Sequence, residues 1–500
     1  MDISKLSLDE KIGQMLCFAF HGTEVNEQLK VLVKDYKVGN IVHFARNINN
    51  NKQVKKLNQD IQSLANHPVF ISLDQEGGMV RRVTSDITYL PGAMALASTN
   101  RKNIYEVNYH TGLDLKELGF NVNYAPVGDV NNNPLNPVIN SRSYSDNPKI
   151  VSECVVQAFR GFQDALMLPT IKHFPGHGDT NVDSHLGLPI VNKSRKDLDK
   201  VELVPFVDAI NNGIDGVMIS HILYSQIDNN LPSSLSYEVI TKLLKEDLGF
   251  KGLITTDSLT MAIWERFTIE EIVMHGVNAG NDVLVFCGKA LLEDQIEIIE
   301  TFKRLVKAKK ISMARIDASV SKVLKLKEKY CYNQVVSKHK DNELSIELVN
   351  DSITKVKSNN LLPITKDDSV LIIFPKISLA SLVDNDNNTY ETLGKYLPFQ
   401  EIIINENFDD YEKLMHIQAK YDKIIMATYN VKADDYQMQI YNKLDKDKVV
   451  VIALRSPYDG LILSGVKEYI CTYDCTKESL KAVSSKLMTN DFTGKLPIKI

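Results

Sequence analysis

Residues 172–185 read Lys-His-Phe-Pro-Gly-His-Gly-Asp-Thr-Asn-Val-Asp-Ser-His, which places three histidines beside Asp179, Asn181 and Asp183 in one short segment. Imidazole, with an unperturbed pKa of roughly 6.5, gives and takes protons near neutrality, and Pro175, Gly176 and Gly178 forbid a regular helix here. The segment therefore reads as a polar loop suited to proton transfer. Within it, Asp183 can hold the imidazole of His185 in one tautomer and stabilise its charged form, a pair able to protonate a leaving oxygen and then deprotonate a water. A metal site using His173, His177, Asp183 and His185 competes with that reading. It is disfavoured because Pro175-Gly176 rule out the one-sided helical geometry of His-x3-His, and hydrolytic zinc sites want three convergent ligands. A purely structural polar loop is a third possibility.

A second focus is Asp257, in Lys251-Gly252-Leu253-Ile254-Thr255-Thr256-Asp257-Ser258. A carboxylate fixed at a strand end can attack an anomeric carbon or stabilise a developing oxocarbenium charge. It can equally cap a helix starting at Leu259, and position alone leaves the two readings even. Lys172 and His173, Asp74 and Arg82 around the Gly77-Gly78 turn, and Arg142 in Asn140-Ser141-Arg142-Ser143-Tyr144 form a mixed set of charges. Such a set suits a polyhydroxylated ligand, whose hydroxyls donate and accept, although each residue alone reads as a salt bridge or cap. Glu76 and His221 are open between support of the site and rim hydrogen bonding. Trp264, the only tryptophan, could stack on a sugar, with core packing the simpler role.

These residues need a scaffold that brings them together. Up to about residue 330, apolar runs recur at Met15 to Phe20, Asn40 to Phe44, Val69 to Leu73, Val122 to Pro126, Thr170 to Phe174, Gly216 to Ile219, Gly252 to Thr256 and Asp282 to Phe286. Runs that are apolar throughout suit parallel strands covered on both faces. Eight of them alternating with helical stretches predict a (β/α)8 TIM-type barrel. A doubly wound sheet is the alternative, but Gly176-x-Gly178 lacks a third glycine at Asn181, so a dinucleotide site has little support. In a barrel the active site lies where strands end, and Asp74, the histidine loop, His221 and Asp257 all follow strand candidates.

After a charged helical stretch from Arg315 to Lys329, strand candidates resume at Val370 to Phe374, Ile402 to Ile404, Lys423 to Ala427, Val449 to Leu454 and Tyr469 to Thr472. They alternate with helical segments such as Tyr411 to Tyr421 and Lys477 to Met488, predicting a smaller α/β sandwich. The expected division is a catalytic barrel at 1–335 and a C-terminal domain at 346–500. The second domain carries no comparable density of reactive side chains, and Asp434, Asp435 and Asp445 read as loop acids.

At 500 residues the chain is too long for one ordinary core, and its 44% hydrophobic and 24% charged composition fits a folded globular protein. A net charge of -5 gives no basic surface for nucleic acid or anionic lipid. Six scattered cysteines argue against a disulfide framework, and Cys471 and Cys475 lack a second pair for zinc. Acids occupy the N-terminus where a signal peptide would be apolar, and nowhere do eighteen apolar residues run together. A soluble, cytoplasmic protein without cofactor, metal, nucleic-acid or membrane partner is expected, its oligomeric state open.

Several motifs together resemble one family. Asp74-Gln75-Glu76-Gly77-Gly78, Asn123-Tyr124-Ala125-Pro126-Val127-Gly128-Asp129-Val130-Asn131, Arg142-Ser143-Tyr144, Lys172 to Gly178 and Asp183-Ser184-His185 are similar to the β-N-acetylglucosaminidase branch of the family 3 glycoside hydrolases, over residues 1 to about 335. The resemblance implies a retaining double displacement with Asp257 as nucleophile and His185, oriented by Asp183, as general acid/base. It implies that Asp74, Arg82, Arg142, Lys172 and His173 grip N-acetylglucosamine. An exo-acting enzyme on peptidoglycan-derived saccharides is the expected function. Met79 and Thr255 depart from the branch, at positions not expected to touch chemistry. The second domain is similar to that of longer, Gram-positive-like members, as is the ending Gly494-Lys495-Leu496-Pro497, and it is expected to contribute little to the site. Two alternatives stay open: a phosphorylase of the same fold, since a histidine acid repels incoming phosphate less than a carboxylate does, and a non-catalytic sugar-binding protein.

Overall fold

The computed structural model describes residues 3–181, 187–288, 291–332, 342–377, 390–408 and 410–500. Eight parallel strands close into a barrel: β1 (Leu16–Phe18), β2 (Asn40–Val42), β3 (Phe70–Leu73), β4 (Val122–Asn123), β5 (Leu168–Phe174), β6 (Gly216–Ile219), β7 (Leu253–Ser258) and β8 (Val283–Phe286), with β8 pairing back onto β1. Each falls on one of the apolar runs anticipated from sequence. The reason lies in burial on both faces: every residue of β5 and β8 is buried, so neither strand needs a polar alternate position.

The period of two then divides the strand residues between two apolar environments. Cys17, Val42, Phe70, Val122, Leu168, Met218, Leu253, Val283 and Val285 cluster in the barrel interior, while Leu16, Phe18, Ile41, Ile71, Ile171, Val217, Ile254 and Leu284 pack under the helical shell. Because all eight strands run the same way, their C-terminal ends and the residues that follow share one face. Helices of the shell start on ordinary caps, such as the Ser7/Glu10 and Thr268/Glu271 capping boxes.

The C-terminal unit is a separate six-stranded sheet. Its strands are β9 (Thr354–Lys357), β10 (Val370–Pro375), β11 (Gln400–Ile404), β12 (Lys423–Thr428), β13 (Val449–Ala453) and β14 (Glu468–Cys471), in the order β9-β14-β13-β12-β10-β11. All neighbours are parallel except β9, which lies antiparallel to β14. Five of the six match the apolar runs. The edge strand β9 does not, because Thr354-Lys355-Val356-Lys357 is open to solvent along part of its length and needs no apolar run. Apolar clusters cover both faces of the sheet, and residues of the barrel unit enter them: Met79 and Tyr89 on one face, Met94 and Ala95 on the other.

All six cysteines are free thiols. Among the described residues no helix is long and apolar enough to cross a membrane.

Candidate active site

Asp74 directly follows β3 and opens a two-stranded ribbon, Gln75–Gly77 against Val80–Arg81. The turn depends on Gly77, whose φ of +102° is left-handed and where a Cβ would lie 2.3 Å from the Pro91 carbonyl oxygen. The ribbon alternates, so Gln75 turns inward to brace its own loop: its Nε2 donates to the Val83 carbonyl at 2.9 Å and its Oε1 accepts the Arg82 N–H at 2.9 Å. Asp74, Glu76 and Arg82 instead join one chain of charges with residues from two other loops.

In that chain, Arg82 Nη2 lies 3.3 Å from Asp74 Oδ2, and Lys172 Nζ reaches Asp74 Oδ1 at 2.8 Å and Glu76 Oε1 at 2.6 Å. Arg142 closes it with a bidentate pair to Glu76, Nε to Oε2 and Nη2 to Oε1, each 2.8 Å. Arg82 also lies over the Phe44 ring, 5.5 Å from its centroid. Burial pushes the Asp74 carboxyl up, yet Lys172 and Arg82 outweigh it and hold it below the usual carboxylate range. The same contest leaves Glu76 far below that range, with Arg142 and Lys172 prevailing over burial. Burial draws the Lys172 ammonium down, but Asp74 and Glu76 reverse this and raise it. Asp74, Glu76 and Lys172 are therefore ionised at neutral pH and, with the two guanidinium groups, make a preorganised array of donors and acceptors for hydroxyl groups.

Lys172 and His173 lie near the end of β5, and His173 is fixed by Asp129, which follows β4. Asp129 Oδ2 lies 2.6 Å from His173 Nδ1, and Oδ1 accepts the main-chain N–H groups of His173 at 3.1 Å and His177 at 2.7 Å. His177 packs edge-on to His173, and burial, with His173 adding to it, lowers its pKa to about 4, so it is a neutral imidazole bonded to Thr180 Oγ1. The histidine loop is pinned further at its start. Asn136 Nδ2 donates to the carbonyls of His177 and Gly178, Tyr224 OH donates to the Gly176 carbonyl, and a Cβ on Gly178 would strike the Val130 carbonyl oxygen. Asp183 and His185 lie outside the described residues.

Asp257 is half-buried near the end of β7, and its Oδ1 accepts the Ser258 N–H at 2.7 Å. It caps no helix: the next one, Ile269–Ala279, starts at Thr268. His221, just after β6, places Nε2 2.8 Å from the Ser258 carbonyl and Nδ1 2.8 Å from Ser234 Oγ. A carbonyl only accepts, so Nε2 carries the proton, and His221 ties the Asp257 strand end to β6. Cys287, directly after β8, has its thiol pushed up chiefly by burial, with the charges of Asp257 and Asp74 adding to it. Trp264 packs edge-on to Phe286, 6.3 Å between centroids, on the outer core.

Residues 7–326 match the model of the glycosyl hydrolase family 3 N-terminal domain. The chain belongs to glycosyl hydrolase family 3. This glycoside hydrolase is 32% identical over 404 residues to a β-hexosaminidase A of Pseudoalteromonas piscicida, an alignment covering 74% of this chain and 68% of the relative. Its structure resembles a family 3 β-N-acetylglucosaminidase from Paenibacillus sp., with a TM-score of 0.92, 33% identity and 99% of both chains covered. A β-glucoside phosphorylase has a TM-score of 0.84 at 22% identity, covering 99% of this chain and 94% of its own, a likeness of fold.

The geometry of the family 3 barrel brings Asp74, Arg82, Arg142 and Lys172 into one network, sets His173 beside Lys172, and places Asp257 on the same face. Three further residues belong to this site. Glu76 carries the network's second carboxylate, Asp129 orients His173, and His221 braces the β7 end. The signal for Asp129 is in Pro126-Val127-Gly128-Asp129, an acid three residues beyond a strand candidate, but its partner is 44 residues away in sequence. The second domain lies closer to the site than its plain composition suggests. Met79, one of the departures from the branch, is buried in that domain's core, its Sδ 3.6 Å from Cys475 Sγ, and Tyr89 OH lies 2.9 Å from Thr476 Oγ1. Thr255 is buried within β7.

Proposed function

We propose that this family 3 enzyme is a retaining exo-β-N-acetylglucosaminidase. Asp257 attacks the anomeric carbon as the glycosidic bond breaks, His185 gives its proton to the departing oxygen, and a glycosyl ester on Asp257 results. His185, oriented by Asp183, then takes a proton from water, which cleaves the ester and returns the sugar with its original configuration. A histidine acid avoids a second buried anion beside Asp257. Asp74, Arg82, Arg142, Lys172 and His173 hold the sugar.

The observation that carries the reading is the ionised Arg82-Asp74-Lys172-Glu76-Arg142 network standing on the strand-end face that also bears Asp257. The hexosaminidase names of its relatives support N-acetylglucosamine as the sugar. We assign the catalytic unit to 1–335 and the C-terminal domain to 346–500, and take peptidoglycan-derived saccharides in the cytoplasm as the natural substrates.

The test is sugar release from N,N′-diacetylchitobiose, a muropeptide and an aryl N-acetylglucosaminide, each with and without phosphate, following the first product by NMR. The β-anomer of free N-acetylglucosamine is expected. The α-anomer first would overturn retention, sugar 1-phosphate would replace hydrolysis by phosphorolysis, and binding without turnover would leave a sugar-binding protein.

A further inference from the structure

The bidentate Arg142–Glu76 pair joins two loops, and the C-terminal domain touches both from behind. The loop after β4, which carries Arg142, is held at three places. Asn140 Nδ2 donates to Ser456 Oγ at 3.0 Å, and Tyr458 OH donates to the Asn131 carbonyl at 3.3 Å. Beyond Arg142, Ser145 Oγ donates to the Pro497 carbonyl and the Lys499 N–H donates to Asp146 Oδ2 at 2.9 Å. These anchors are linked within the loop, because Asn131 Oδ1 accepts the Asn140 N–H at 3.0 Å and the Asn131 N–H donates to the Ser145 carbonyl at 3.0 Å. The second loop carries Glu76. At its tip Asp474 Oδ2 would lie 3.2 Å from a Cβ on Gly78, and Met79 is buried against Cys475.

Asn140 and Ser456 are both buried, and Arg142 sits two residues further along the same 3-10 turn, Asn140–Arg142. The turn is also held within its own loop, by Arg142 Nη1 donating to the Val138 carbonyl at 3.2 Å and the Ile139 N–H donating to Asn136 Oδ1 at 2.8 Å, and Asn140 has a φ of +43°, a left-handed conformation that non-glycine residues rarely adopt and that surrounding contacts must sustain.

We infer that Ser456 and Tyr458 of the C-terminal domain are positioning residues for sugar binding, acting through Asn140 and Asn131 on the guanidinium of Arg142. The inference rests on the reading of Arg142 as a sugar ligand. Neither residue touches substrate. They set where the Arg142–Glu76 pair stands, so their loss weakens the grip on the sugar in ground and transition states alike, raising KM more than it lowers kcat.

The experiment compares S456A, Y458F, the double variant, R142A and S98A in the full chain. Ser98 donates to the Ser352 carbonyl at 3.1 Å across the same domain seam without belonging to either loop, and so controls for loosening of the seam. The readouts are N-acetylglucosamine affinity by calorimetry, KM and kcat on an aryl N-acetylglucosaminide, and Tm. The double variant is expected to bind N-acetylglucosamine about fivefold or more weakly and to raise KM by a similar factor, with kcat within about twofold. S456T should recover much of the loss by keeping the hydroxyl. Should the double variant fail to fold, the single variants and S456T decide the matter by the same split.

Wild-type affinity in S456A and Y458F beside a clear loss in R142A would overturn the inference. An equal loss in S98A would overturn it too, since the seam alone would then account for the effect. Wild-type affinity in R142A would remove the sugar-ligand reading itself.

Discussion

Asp129 grips His173 at two points, its Oδ2 2.6 Å from the ring Nδ1 and its Oδ1 3.1 Å from the main-chain nitrogen. Burial alone would raise the Asp129 carboxyl, but the charge and hydrogen bonds of His173, with His177 adding to them, hold it below the usual range. An ionised carboxylate can only accept, so Nδ1 carries its proton, and on the proposed reading the other ring nitrogen serves the sugar.

Asp129→Asn keeps the shape and reverses that logic, because an amide can turn a donor toward Nδ1 and favour the opposite tautomer. N-acetylglucosamine affinity and kcat/KM should each fall by about 10- to 100-fold, by analogy with the loss of a partner that orients a metal-bound histidine. Steady-state kinetics and calorimetry measure this. Unchanged values for both would show that the ring orientation has no bearing on the sugar.

Glu76 stands between Arg142 and Lys172, whose side chains are 5% and 3% exposed. Removing its charge leaves two buried cations short of a partner, so Glu76→Gln should cost about 3–5 kcal/mol of stability. Lys172→Met should cost less in the Glu76→Gln background than in the wild type, since it removes one of the cations left unpaired. Urea midpoints of the two single variants and the double variant supply the cycle. Strict additivity would deny the network its coupling.

Much of this arrangement was legible in the sequence because it rests on local rules. Runs such as Val283 to Phe286 are apolar throughout only because both faces are covered, and that pattern places eight strands and the face on which Asp74, Lys172 and Asp257 stand. Long-range pairing was not legible. Glu76 and Arg142 are 66 residues apart, and nothing near either names its partner. The reach of the C-terminal domain toward the site was hidden for a different reason: Ser456, Tyr458 and Asp474 are ordinary loop residues by composition, and their meaning comes only from the loops they face.

Asp257 and His185 should differ in how their loss depends on the substrate. Asp257→Ala should lower turnover of every substrate, by about a thousandfold or more, because no covalent intermediate can form. His185→Ala should spare activated aryl glycosides and strongly impair disaccharides, since only a poor leaving group needs a proton as it departs. The slope of log kcat/KM against leaving-group pKa measures the difference. A slope equal to that of the wild type in His185→Ala would remove its role as acid.

The chain should also carry an acid sensitivity that comes from histidine. The His43 ring is wholly buried edge-on to Phe20 and Phe120, and burial lowers its pKa to about 3. Unfolding returns it to an ordinary value of roughly 6.5, so between these two values the unfolded state binds more protons than the folded one. Stability is therefore full above about pH 6.5 and declines as the pH falls toward 3, by about 1.4 kcal/mol per pH unit from this group. His177, lowered to about 4, acts in the same direction, while buried Asp459, raised to about 7, acts in the opposite one, so a wild-type profile alone would blur the effect. His43→Leu isolates it, being apolar and unable to titrate. Its urea midpoint relative to wild type should rise steadily as pH drops from 7 to 5, a window above the depressed carboxylates Asp74, Glu76 and Asp129. Parallel curves for the two proteins would mean that His43 is not held neutral by its surroundings.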